Sequence, residues 1–400
     1  MDNVVIVSPL RTAIGKMGGT IAALPAEELG RIVVTGVLDN SEVNADAVDE
    51  VILGHARQTS DNPNIARIVS LRAGLPEATT SYTVMRQCAS GMTAVQNGAM
   101  SIMCGQNDVV IAGGVESMST AIFYLPPESR YGLGTGNITL YDSVTEAQFN
   151  AQPIELYGKF NMGATAENVA EQLNISREAQ DEFAYSSQKK AQEAISSGLF
   201  KDEIIPISIP QRKGEAIVFD TDEHPRLTLV EKLSTLKPVF RDGGTVTAGN
   251  SSGRNDGGSA LLLSSLTKAE KLGLKPMAKI VGMGTTGLNP KIMGLGPVEA
   301  TKKALANAGL TMDDIGLVEL NEAFAAQALG CIWEMGLNDR MDIINVNGGA
   351  IAYGHPIGST GCRIIVSLVH EMKRRKVKYG LATLCIGGGM GQSTIVELID

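Results

Sequence analysis

The order of short apolar runs constrains this chain more than any other feature. In the first quarter, strand-length runs at Val4–Val7, Val51–Leu53, Ser81–Met85 and Val109–Ala112 alternate with helix-patterned segments at Pro25–Leu38, Ile65–Ala73 and after Cys88. From Pro276 the order restarts. Strand runs at Lys279–Val281, Leu317–Leu320, Ile343–Val346, Leu381–Ile386 and Ser393–Leu398 surround helical segments at Gly296–Ala308, Ala323–Met335 and Ser359–Met372. A late run, Ser259–Leu263, gives the first half its matching last strand. A repeated βαβαβαββ order predicts two similar α/β halves packed together. The expected division is 1–118 plus 254–275 for one half and 276–400 for the other. Residues 119–253 are richer in Pro, Gly and polar residues, with one charged helix over Ser176–Ser197, and are expected to form an inserted loop domain.

Composition narrows the function. A net charge of −9 over 400 residues argues against a general nucleic-acid or membrane-surface binder, though not against a phosphorylated ligand held by a local basic patch. The five cysteines are widely spaced with no CxxC pair, so neither a metal site nor a disulfide framework is expected. The N-terminus lacks a basic signal region, the C-terminal Leu-Ile-Asp is not a peroxisomal tripeptide, and no run reaches the ~20 apolar residues of a membrane span. A cytoplasmic protein is expected.

Four reactive side chains fall just after strands, where open α/β sheets place their ligands. Cys88, in Gln87-Cys88-Ala89-Ser90-Gly91, stands where a strand hands over to a helix, so the helix's free N–H groups are expected to depress its thiol pKa. A small buried apolar residue is the plainer alternative. His355, in Tyr353-Gly354-His355-Pro356, is pinned in a glycine-rich turn and could take the Cys88 proton. Cys385 precedes Ile386-Gly387-Gly388-Gly389, whose backbone could lie against a reacting carbonyl and offer oxyanion-stabilising N–H groups. A dinucleotide loop would need a helix after those glycines, and Gln392–Leu398 alternates like a strand. Asn321, opening Asn321-Glu322-Ala323-Phe324, reads as a helix cap that could also fix a water.

Taken together, these blocks resemble the thiolases, CoA-dependent acyltransferases that make or cleave 3-ketoacyl-CoA. The resemblance runs from Ser8-Pro9-Leu10-Arg11 through Cys88-Ala89-Ser90-Gly91, Gly249-Asn250-Ser251-Ser252-Gly253 and Met293-Gly294-Leu295-Gly296 to Asn321-Glu322-Ala323-Phe324, Gly354-His355-Pro356 and Cys385-Ile386-Gly387. It implies a layered α-β-α-β-α core and a ping-pong reaction of two acetyl-CoA giving acetoacetyl-CoA and CoA, or the reverse. Cys88 would be acylated, His355 would activate it, and Cys385 would move the α-proton. His355 and a water on Asn321 would form one oxyanion hole, and the N–H groups of Cys88 and Gly387 another. Arg226 and Ser252 would bind CoA, Met162 and Phe324 would lie beside its pantetheine, and Met293 would line the acyl pocket. The resemblance also implies CoA thioesters as substrates with no other cofactor, and a homotetramer built as a dimer of dimers. A thiolase for longer chains in fatty-acid β-oxidation is the near alternative, and a non-catalytic CoA-binding scaffold the distant one. Asn161 stands where short-chain members carry His, and Arg254 and Thr360 also depart from the common pattern.

Overall fold

The computed structural model describes residues 3–399. Met1, Asp2 and Asp400, which enter the readings of the two termini, lie outside the described residues. Nine strands carry the architecture: β1 (Val4–Thr12), β2 (Glu50–Gly54), β3 (Thr80–Val84), β4 (Val109–Ser117), β5 (Asn255–Ser265), β6 (Ala278–Gly287), β7 (Leu317–Leu320), β8 (Tyr379–Ile386) and β9 (Met390–Leu398). Their order across the sheet is β7-β8-β9-β6-β1-β5-β4-β2-β3. The two half-sheets join through β1 and β6 at only Val5↔Lys279 and Ile6↔Ala278. Outward from that seam each half starts with two antiparallel pairings and then a parallel one, and the first half adds a second parallel pairing, β2 with β3.

The longer helices are α1 (Ala26–Ser41), α2 (Ile65–Arg72), α3 (Ser90–Met103), α4 (Met162–Leu173), α5 (Arg177–Ser196), α6 (Gly296–Ala308), α7 (Ala325–Glu334) and α8 (Ile357–Arg375). Apolar residues of α3 and α8 are buried together between the half-sheets, with Met92, Val95, Ala99, Ile365, Val369 and Met372 in one cluster. Helix α1 packs on the outer face of the first half and α6 and α7 on that of the second, giving the five α-β-α-β-α layers. Polar bonds cross the middle as well. Thr93 Oγ1 of α3 donates to Gln392 Oε1 (2.8 Å), and Gln96 Nε2 donates to Ser393 O (2.9 Å), both on β9.

One expected strand is replaced. Ile343–Val346 contributes a single parallel bridge, Val318↔Ile344. The side chain of Asn345, itself at φ 42°, does the pairing instead, accepting from Leu320 N (2.8 Å) and donating to Leu320 O (2.9 Å). A carboxamide can bond one backbone residue as a strand neighbour would, but it cannot extend a ladder. Within 119–253, α5 starts where its cap was expected, Ser176 Oγ accepting from Ala179 N (3.1 Å). Among the described residues no helix is long and apolar enough to cross a membrane.

Candidate active site

Cys88 occupies a tight corner between β3 and α3. Gln87 takes φ 44°, a left-handed conformation that disfavours side chains, and Ser90 closes the turn. Its Oγ accepts from Arg86 N (2.9 Å) and donates to Gln87 O (2.7 Å). The helix begins at Ser90 rather than at Cys88, with Ala89 in the cap position. The expected depression of the thiol pKa is outweighed by burial. Burial pushes the thiol up, opposed by a hydrogen bond from Gly387 N–H and the charge of Arg57. The residue keeps some surface exposure, yet its surroundings are dry enough that desolvation outweighs the nearby donors. The thiol needs a base.

His355 precedes α8 by two residues, as Cys88 precedes α3. The two helix starts touch because glycine stands at their crossing. A Cβ on Gly91 would lie 2.9 Å from Gly358 O and Cys362 N, and one on Gly361 would lie 2.5 Å from Met92 N. This contact brings both functional residues to the same end of the crossing. Thr360 Oγ1 stands 2.7 Å from His355 Nδ1 and donates its own hydrogen to Pro356 O (3.0 Å). The hydroxyl is thus left to accept, which assigns the ring hydrogen to Nδ1 and a lone pair to Nε2. Nε2 is buried with no protein partner among the described residues. Burial, with Arg363 next, lowers the imidazole pKa to about 4, so the ring is neutral at pH 7.

Cys385 lies near the end of β8, before a turn in which Gly388 and Gly389 take φ 90° and 83°. Burial holds its thiol well above the ordinary range, and Cys88 adds to the shift. Cys88 thus accepts from Gly387 N–H and lies within electrostatic reach of Cys385. Asn321 is not a cap, since α7 starts at Ala325 behind Phe324. Its Nδ2 and Oδ1 are both buried and without hydrogen-bond partners among the described residues.

Arg226 and Ser252 line a cavity of about 480 Å³ together with Lys232, Leu233, Leu236 and Phe240. Met162, Met293 and Phe324 pack with Cys385 in one apolar cluster. Phe240 joins the two regions, lining the cavity while its ring meets Phe324 edge-on at 6.0 Å. Asn161 caps α4, its Oδ1 accepting from Ala164 N (3.0 Å).

Two buried acids escaped the sequence reading. Glu322 accepts from Ser187 Oγ (2.6 Å), Asn345 Nδ2 (2.7 Å) and Ile351 N (3.3 Å), tying the Asn321 segment to the His355 loop. Glu116, in β4, accepts from Gly358 N (2.9 Å), Ala56 N (3.2 Å) and Arg57 N (3.1 Å), and stands 3.1 Å from His55 Nδ1. Burial opposes its charge, but His55, Arg57 and Gly358 together hold its carboxyl below the usual range. The one available signal was an acid inside an otherwise apolar strand.

Comparison with known proteins covers nearly the whole chain. Residues 4–267 match the family described as Thiolase, N-terminal domain, and residues 274–398 match Thiolase, C-terminal domain. An acetyl-CoA acetyltransferase of Chromobacterium violaceum is 50% identical over 98% of this chain and 99% of its own length. One from Cupriavidus necator is 48% identical over 99% and 100%. The crystal structure of the Bacillus anthracis acetyl-CoA acetyltransferase superposes with a TM-score of 0.95 at 46% identity, covering 100% of this chain and 99% of that one. Human mitochondrial 3-ketoacyl-CoA thiolase gives 0.94 at 39%, with the same coverage. With both halves matched in order and at these identities, the chain belongs to the thiolase family.

Proposed function

We propose that this chain is an acetyl-CoA C-acetyltransferase, condensing two acetyl-CoA to acetoacetyl-CoA and CoA, or running the reverse thiolysis. One observation carries the reading: a protonated Cys88 thiol has Gly387 N–H and Cys385 beside it, at the helix crossing that also presents the bare Nε2 of His355. In this reading Nε2 takes the Cys88 proton and the thiolate attacks the thioester carbonyl. The N–H groups of Cys88 and Gly387 hold the developing oxyanion, a role whose loss costs about 10²–10³ in rate. CoA leaves with the proton of Cys385. The resulting Cys385 thiolate removes the α-proton of a second acetyl-CoA. The enolate oxygen is held by the Nε2–H of His355 and a water on Asn321. Its carbon attacks the acyl-Cys88, and the released Cys88 sulfur recovers its proton from His355.

The CoA thioester lies in the 480 Å³ cavity in this reading, with Arg226 toward the nucleotide end and Ser252, Met162 and Phe324 along the pantetheine. Met293 lines the acyl side. We assign 119–253 to CoA binding and subunit contact, between the halves 1–118 plus 254–275 and 276–400. Exposed apolar side chains at Phe123, Tyr131 and Leu140 support a covered face in a cytoplasmic homotetramer.

Mass spectrometry after acetyl-CoA incubation tests the core of the reading. Cys88→Ser should remain folded and carry no acetyl group, and label on any other residue in the wild type would refute the assignment. Asn161 favours one second reading, a broader thiolase, because the short-chain His is here a helix-capping Asn. Relative kcat/KM for acetoacetyl-CoA and longer 3-ketoacyl-CoA separates the two.

A further inference from the structure

The His355 main chain has an anchor that the chemistry above does not use. Asn255, the first residue of β5, is fully buried. Its Oδ1 accepts from His355 N (3.0 Å) and its Nδ2 donates to Gly15 O (2.9 Å). The same Nδ2 stands 3.3 Å from Nδ1 of His224, which lines the 480 Å³ cavity. Glycines make room for this carboxamide on two sides. A Cβ on Gly354 would sit 2.0 Å from Asn255 Oδ1, and one on Gly253 would sit 2.9 Å from it. Burial, then Arg226 and Lys16, lowers the His224 pKa to about 4, leaving a neutral ring able to accept at Nδ1.

Other restraints on His355 leave its backbone position open. Thr360 fixes the ring at Nδ1 and Pro356 fixes the following φ near −68°. Gly354, at φ 94°, is a residue with free rotation immediately before it. The main-chain N–H ties the loop to the sheet at His355 itself, three residues before the Glu116 bond at Gly358 N.

We propose that Asn255 is a positioning residue for His355, setting where Nε2 points relative to Cys88 and tying that setting to the cavity wall at His224. The proposal rests on reading His355 as the base for Cys88. Displacing a reacting group by about 1 Å can cost on the order of 10²-fold in rate.

The test is the rate of Cys88 alkylation by iodoacetamide at pH 7, read by peptide mass spectrometry beside kcat and KM for acetyl-CoA. Asn255→Ala should slow alkylation and lower kcat by at least about tenfold, with KM changed less than about threefold. Asn255→Asp keeps an acceptor for the His355 N–H and should recover part of both losses. An Asn255→Ala protein that melts earlier but alkylates at the wild-type rate would reduce Asn255 to a structural role and overturn the proposal. So would an Asn255→Asp protein as slow as the alanine variant. If the alanine variant does not fold, amide hydrogen exchange at His355 in the wild type decides: slow exchange supports the anchor, and exchange as fast as an exposed loop ends it. Alkylation needs no acyl substrate. An enzyme that fails to turn over acetyl-CoA therefore defeats the functional reading while leaving this proposal to its own result.

Discussion

The corner that carries Cys88 and the loop that carries His355 solve one problem by opposite means. Both place a reactive residue two positions ahead of a central helix. The Cys88 corner is closed by its own neighbours, with Ser90 bonded to residues three and four positions earlier. The His355 loop is held from far along the chain, by Glu322 at Ile351, Glu116 at Gly358 and Asn255 at His355 itself. A local corner can form wherever its few residues are right. A loop held by buried polar groups exists only once several distant segments have assembled around it.

The largest effect should come from removing a distant support. Glu322→Ala strips the acceptor from Ser187, Asn345 and Ile351 together, and each buried donor left unpaired costs about 1–3 kcal/mol. Urea unfolding should show a loss of about 3 kcal/mol or more, and kcat should fall with it. A variant within about 1 kcal/mol of wild type would show that the loop holds itself. Ser90→Ala should do less, about 1–2 kcal/mol, because the corner loses one hydroxyl at its partly open edge. If it cost more than Glu322→Ala, the contrast between local and distant support would be reversed.

The remaining effect is in pH dependence. Unfolded His355 takes up a proton at its ordinary 6.5, whereas the buried ring resists until about 4. The unfolded state binds more protons in that window, so stability is lost as pH falls from about 6.5 toward about 4. Urea midpoints at pH 6.5, 5.5 and 4.5 should fall less steeply in His355→Asn, whereas Cys88→Ser should keep the wild-type slope.

The same contrast explains what the sequence made legible. Helix α6 and strand β7 begin and end where Gly296–Ala308 and Leu317–Leu320 were expected, because Pro297 and the apolar periods are local signals. Ser176 was readable as a cap for the same reason. The strand expected at Ile343–Val346 had the right composition, but Asn345 turns its side chain to β7 and ends the ladder. The Cys88 thiol was misjudged because desolvation depends on what packs around it in the fold, and that burial outweighs the favourable Gly387 N–H and Arg57 charge. Glu116 and Asn255 carry no motif of their own, and Glu322, inside Asn321-Glu322-Ala323-Phe324, was given no role there. Their importance lies in which distant N–H groups they meet.

The strand at the centre of the sheet also sets a schedule for biosynthesis. Val4–Thr12 leaves the ribosome ahead of the other strands of this sheet, yet its long antiparallel partner is Asn255–Ser265 and its neighbour across the seam begins at Ala278. At about 5–20 residues per second, the chain carries an apolar, unpaired strand for tens of seconds before either partner emerges. An exposed strand edge is a template for pairing with other chains. This nine-residue strand thus depends on shelter during synthesis until its partners are made.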